Sequence, residues 1–241
     1  MRFPLLSTFC IGIFTVAFSH PSELDTVTWH VGDVRPPLRA ASPFEDQVTR
    51  FYTGGEYIHG LPRIRALKLG RRSLPIMARL LRERGTRRYW HQIAAGIGLF
   101  GDTAYFDTLR GFVWDRFRGP VQFDAFKALM QAQASFGPMA THSSRVRTYL
   151  ESMTSDRAWD SIPWHSPPPD TRVYVAKRME MMTIVAISYS GTEWAEKLLL
   201  DLPASQDPEI QRQISIGRSV NEEIRRKGLR QVFKEQDERG L

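Results

Sequence analysis

Residues Ala94–Phe106 read AAGIGLFGDTAYF. A helix end rich in small residues runs into Gly101-Asp102, and a new apolar pattern starts behind it. Echoes stand at Leu69-Gly70, Ser135-Phe136-Gly137 and Tyr189-Ser190-Gly191. Each glycine follows one amphipathic segment and precedes another. The gaps between the four glycines are 31, 36 and 54 residues. A period in the mid-thirties, broken by one insertion, predicts stacked helical hairpins. Such arrays usually bind partners and seldom catalyse, so the pattern says more about architecture than about a ligand.

Working outward, Trp90, Ile93, Ala94 and Ile97 share one face before the Gly-Asp break. Tyr105, Phe106, Leu109, Phe112 and Val113 share a face after it. Gly96 and Gly98 remove side chains where a neighbouring helix could approach closely. Asp102 is the expected cap of the second helix. Toward the N-terminus, Leu61, Ile64 and Leu67 form a stripe ending at Gly70. Ser73 is then expected to cap a helix with Pro75 in its first turn. That helix carries Ile76, Met77, Leu80 and Leu81, and Gly85 is its expected end. Toward the C-terminus, Phe126, Leu129 and Met130 precede a break at Gly137-Pro138. Val146, Tyr149, Leu150 and Met153 follow it. Val175, Met179, Met182 and Ala186 pair across Gly191 with Trp194, Ala195, Leu198 and Leu199. Met179 and Met182 are expected in the core. Asp207-Pro208 starts a last helix, broken near Gly228. Pro163, Pro167, Pro168 and Pro169 forbid a continuous helix through the insertion. No segment reads as an interior strand; Thr26–Val31 is at most a brief one.

These hairpins resemble HEAT-type repeats, best at Ala94 to Asp102, where small residues lead into Gly101-Asp102. The similarity spans Leu61–Met153 and Arg172–Leu202. Pro138, Thr192 and Arg71 stand where the other units would carry the acidic residue. The resemblance implies an all-α fold, a short α-solenoid of about four to five antiparallel hairpins presenting a curved surface to a partner. The repeat domain would cover residues 58–241, with a Pro/Trp-rich insertion at 155–170. Residues 20–57 form an irregular lead-in, with a helix expected near Phe44–Phe51.

Residues 1–19 read as a secretory signal. Arg2 gives a positive start, Pro4 to Phe18 carries no charge, and Ala17-Phe18-Ser19 places cleavage before His20. The apolar run is shorter than the roughly 20 residues a bilayer requires. The expected location is therefore secreted or periplasmic, in the cell envelope. Cys10 is the sole cysteine and lies in the signal, so the mature chain has neither disulfides nor thiol chemistry. The full chain carries +7; without Arg2, 32 basic residues face 26 acidic ones.

Chemistry-bearing motifs are scarce. There is no GxSxG, HExxH or P-loop, and the six histidines are never three or four apart. No cofactor and no metal are expected, and catalytic residues are not assigned. The densest functional signal is Arg63–Arg88, with ten Lys or Arg residues against the single acid Glu83. Arg71 and Arg72 sit at one expected turn; Arg82, Arg84, Arg87 and Arg88 surround the next. Together they would suit a protein partner or an anionic surface, either lipid headgroups or an acidic polymer. An exported protein rarely meets nucleic acid, which argues against that ligand. Trp159 and Trp164, held in a proline frame, could anchor a sugar face or a peptide. The leading expectation is an exported, non-catalytic scaffold or binding protein. Its rivals are an enzyme with dispersed residues in the concave groove and a structural envelope component.

Overall fold

The computed structural model describes residues 42–57, 60–116, 123–160, 169–203 and 205–239. The signal segment, the Thr26–Val31 strand and Trp164 lie outside the described residues. Among those described, the chain is helical with no strand, so the fold is all-α. The helices in order are α1 (Pro43–Thr53), α2 (Arg63–Lys68), α3 (Leu74–Leu80), α4 (Trp90–Leu99) and α5 (Phe106–Arg116). Next come α6 (Phe123–Ala134), α7 (Gly137–Ala140), α8 (Ser144–Ser152) and α9 (Asp156–Asp160). The last four are α10 (Pro169–Tyr189), α11 (Glu193–Asp201), α12 (Pro208–Lys227) and α13 (Leu229–Glu238). Tight 3-10 turns occupy Arg71–Ser73, Arg84–Tyr89 and Thr103–Tyr105.

Local chemistry places the starts. Asp102 accepts from the Ala104 N–H at 3.1 Å, as its position predicts. Thr192 caps α11 through the Ala195 N–H at 3.2 Å, and Asp207 caps α12 through Glu209 and Ile210. Ser73 departs from expectation: its hydroxyl donates back to the Gly70 carbonyl at 2.7 Å, leaving the start of α3 to Pro75. The helix also stops before Gly85, at Leu80. Gly228, at φ 82°, separates α12 from α13.

Packing follows an order. α4, α6, α10 and α12 pack in succession, with α2 against α4. α3, α5, α8 and α11 each pack on the long helix that comes next in that row. Small residues set the spacing. A Cβ on Gly98 would lie 2.8 Å from the Ser135 backbone, and one on Gly137 would lie 2.5 Å from the Ala186 carbonyl oxygen. At the next interface Gly217 sits against the Ser188 hydroxyl. Gly96 is likewise closed off, by the ring of Tyr52. At Gly98 and Gly137 the backbones therefore meet with almost no intervening side chain, which is what the small residues near Ala94 predicted.

One core runs through the molecule from Val48 and Tyr52 on α1 to Leu199 and Ile210. α1 belongs to it, although the sequence pattern left this region in the lead-in. Met179 is fully buried and Met182 partly so. A buried polar chain ties three helices: Tyr149 donates to Gln133 at 2.9 Å, and Gln133 donates to Thr183 at 3.0 Å. Such satisfied pairs avoid the cost of orphaned buried groups.

The ends meet. α13 packs against α2, and Phe233 and Val232 join Tyr189, Ile224, Ile64 and Leu99 in a second cluster. Pro62 offers α2 no capping side chain. Asp237 supplies one instead, accepting from the Ile64 N–H at 2.9 Å and from Arg63 at 3.3 Å.

Candidate functional site: the arginine-rich loop after α3

Chain segments distant in sequence partly neutralise the ten cations of Arg63–Arg88. Arg63 pairs with Asp237, and Arg71 with Asp102 at 3.0 Å. Arg79 pairs with Glu45 at 2.5 Å and with Glu83 at 3.6 Å; Arg88 pairs with Glu56 at 2.8 Å. Arg72 lies over the Phe44 ring, 3.8 Å from its centre. Four of the five acids, Glu45, Glu56, Asp102 and Asp237, lie outside Arg63–Arg88, so the local charge count includes only Glu83.

The arginine groups are not at one place. Arg71 and Arg72 precede α3, whereas Arg82, Arg84, Arg87 and Arg88 follow it. Seven helical residues at 1.5 Å rise put about 10 Å of helix between them. The structure therefore separates Arg71 and Arg72 from the later group.

The later group sits on a pinned loop. The buried Thr86 hydroxyl lies within hydrogen-bond reach of the Leu80 and Glu83 carbonyls. The indole N–H of Trp90 donates to the same Glu83 carbonyl at 3.2 Å. These bonds anchor the loop while Arg82, Arg84 and Arg88 stay exposed. Arg82 has no side-chain partner among the described residues. Arg87 is half-buried, and its Nε is buried without an acceptor among the described residues. The loop packs on α1, α4 and α6.

Glu56 reports the local field. The hydrogen bond from Arg88 holds its carboxyl below the usual range, against the opposing effect of burial. The charges of Arg88, Lys127 and His91 add to the lowering. Lys127 stands on α6, which packs on the same loop. No sequence signal linked the two, because only the packing of α6 brings them together.

Trp159 takes a different role from the expected anchor. It is fully buried, its N–H donates to the Met153 carbonyl at 3.2 Å, and its ring stacks on Trp114 at 6.4 Å. Its ring has no surface to offer a ligand.

Among the described residues, no group of three or more His, Cys, Asp and Glu side chains is placed to hold a metal. Among them too, no helix is long and apolar enough to cross a membrane. No family model, curated protein or solved structure matches this chain.

Proposed function

We propose that the chain is an exported interaction protein that holds an acidic partner on the basic edge after α3. The observation carrying this reading is the pinned loop with three exposed arginines, with Lys127 on a helix that packs against it. A loop fixed by Thr86 and Trp90 presents its charges with little left to order on binding, which lowers the cost of association. The clustered charge steers an acidic surface toward it and sets orientation. Arg71 and Arg72 lie at the other end of α3 and are left out of this site. So is Trp159.

The scaffold in this reading is a short HEAT-like α-solenoid. The ordered row α4, α6, α10, α12 supports it, as do the flanking helices that each pack on the next member. Contacts between successive turns also support it. Arg71 reaches Asp102, Arg145 grips Asp107 through two hydrogen bonds, and Thr141 donates to the Ser190 carbonyl. From the end of that row, α13 returns to pack on α2. Export rests on Arg2 and the apolar run ending at Ala17-Phe18-Ser19. Intact-mass measurement of secreted protein should give a chain starting at His20; retention of Met1 contradicts export.

The binding test uses polyglutamate and vesicles rich in phosphatidylserine, with wild type and a triple Arg82→Gln, Arg84→Gln, Arg88→Gln variant. Polyglutamate affinity should fall at least about tenfold in the variant, roughly 1.4 kcal/mol, with the melting temperature little changed. Equal affinity of the two proteins removes the site.

A further inference from the structure

Beside the basic edge, α1 ends at Thr53 and the chain turns through Gly54 and Gly55. The buried Gln92 side chain clamps this turn, donating to the Tyr52 carbonyl at 2.5 Å and to the Gly55 carbonyl at 2.9 Å. Tyr57 consequently folds back on α1. Its hydroxyl donates to the Phe51 carbonyl at 2.8 Å, and the two rings lie 5.6 Å apart. Arg65 from α2 lies over the Phe51 ring, 5.8 Å from its centre. These groups border an open hollow of about 480 Å³, lined also by Gln47, Arg50, Glu56 and Leu69.

The charges around the hollow do not balance. Arg50 and Arg65 are exposed, and neither has an acidic partner among the described residues. Glu56 is the only carboxylate among the lining residues, and it is engaged by Arg88. The lining thus combines two guanidinium groups that lack an acidic partner among the described residues with an apolar surface built from Phe51, Tyr57 and Leu69. Guanidinium groups suit carboxylates through paired N–H donors. The rings suit an apolar side chain, and an aromatic one above all. The hollow opens broadly to solvent, so it fits a side chain carried on a larger partner better than an enclosed small ligand.

We propose that this hollow receives an aromatic side chain flanked by carboxylates, on an acidic peptide segment of a partner protein. Arg50 and Arg65 take the carboxylates, and Phe51 and Tyr57 hold the ring. Glu56 joins the hollow to Arg88, so the same segment continues onto the basic edge. This inference rests on the reading of that edge and specifies the chemistry of its partner.

The test uses three fluorescein-labelled, capped pentapeptides: acidic residues around a central phenylalanine, the same with central alanine, and the first with its acids replaced by their amides. Fluorescence anisotropy with the full chain, at concentrations up to about 1 mM, should show binding of the first peptide. The alanine and amide peptides should each bind at least tenfold more weakly. Arg50→Gln with Arg65→Gln should cost at least tenfold for the first peptide. Both residues are exposed, so the melting curve should stay unchanged and separate lost binding from lost folding. Tyr57→Phe keeps the ring and should bind within about twofold of wild type; a larger loss contradicts the role of the ring. If phenylalanine and alanine peptides bind equally, and only Arg82→Gln with Arg84→Gln weakens them, the basic edge stands and the hollow does not. Absence of binding by all three peptides overturns the hollow. Binding of phosphatidylserine vesicles lost in Arg50→Gln with Arg65→Gln, with no peptide bound, assigns the hollow to lipid and likewise overturns the proposal.

Discussion

Gly85 lies within the Arg84–Tyr89 turn and Gly98 in the helix that follows it, and the two serve opposite ends. A Cβ on Gly98 would run into the Ser135 backbone, whereas a Cβ on Gly85 would meet nothing within 4 Å. The α4–α6 contact is built by excluding side chains. The loop after α3 is built by displaying them. Cohesion is concentrated in the first region, where substitution forces backbones apart. The second region can change its charges at little cost to the fold, which suits a surface that recognises a partner.

The largest loss of stability is expected at Trp159. Its full burial against Trp114 puts it with the stack, and Trp159→Ala should cost about 3–5 kcal/mol. Denaturant unfolding measures this. A stability loss below about 1 kcal/mol would return that ring to the surface and reopen its role as an anchor. Next in size is Gly98→Leu, expected to destabilise by about 3 kcal/mol because the obstructing atoms include backbone. Its partner experiment, Gly85→Ala, should stay within about 0.5 kcal/mol of wild type. Similar melting temperatures for the two variants would erase the distinction between the regions.

A smaller effect sits where α10 meets α12. Asp207→Ala removes a cap and should cost about 1 kcal/mol. Lys177 bonds both Asp207 and Glu209, at 2.6 and 2.8 Å, and holds both carboxyls below their usual range. A lowered folded-state pKa stabilises the fold above the unfolded value, about 4, and that stabilisation is lost as pH falls through the folded value. Lys177 itself is raised by the same partners. Its contribution is present below its unfolded pKa, about 10.4, and is lost as pH rises through the folded value. Melting followed against pH should therefore decline at both extremes, and Asp207→Asn should flatten part of the acid limb. The smallest change in stability belongs to the edge. Arg82→Gln with Arg84→Gln should leave stability within about 0.5 kcal/mol while weakening polyglutamate binding.

What the chain revealed locally was its helices and their closest contacts. Glycine and alanine near residue 98 announced close approach, and Asp102 and Asp207 announced helix starts, because caps and small-residue contacts are short-range properties. What it hid was tertiary. Asp237 capping α2, Glu45 meeting Arg79 and α6 packing on the arginine loop each depend on segments distant in sequence. Trp159 was open for a related reason: a tryptophan in a proline frame suits an anchor, and only packing shows that α9 places its indole inside, against Trp114. The hollow between α1 and α2 went unread because the pattern from Phe44 to Tyr57 is weakly periodic, and its shape comes from Gln92 on another helix.

In the proposed reading, recognition sits on the loop after α3 and not on the turns at Gly101–Tyr105 and Gly191–Glu193. Hydrogen exchange of the full chain, with and without polyglutamate, tests this most directly. Added protection of backbone amides is expected across Glu83–Tyr89 and across residues 54–57, with exchange unchanged at Gly101–Tyr105 and Gly191–Glu193. Protection confined to those two turns, with the arginine loop unaffected, would contradict it.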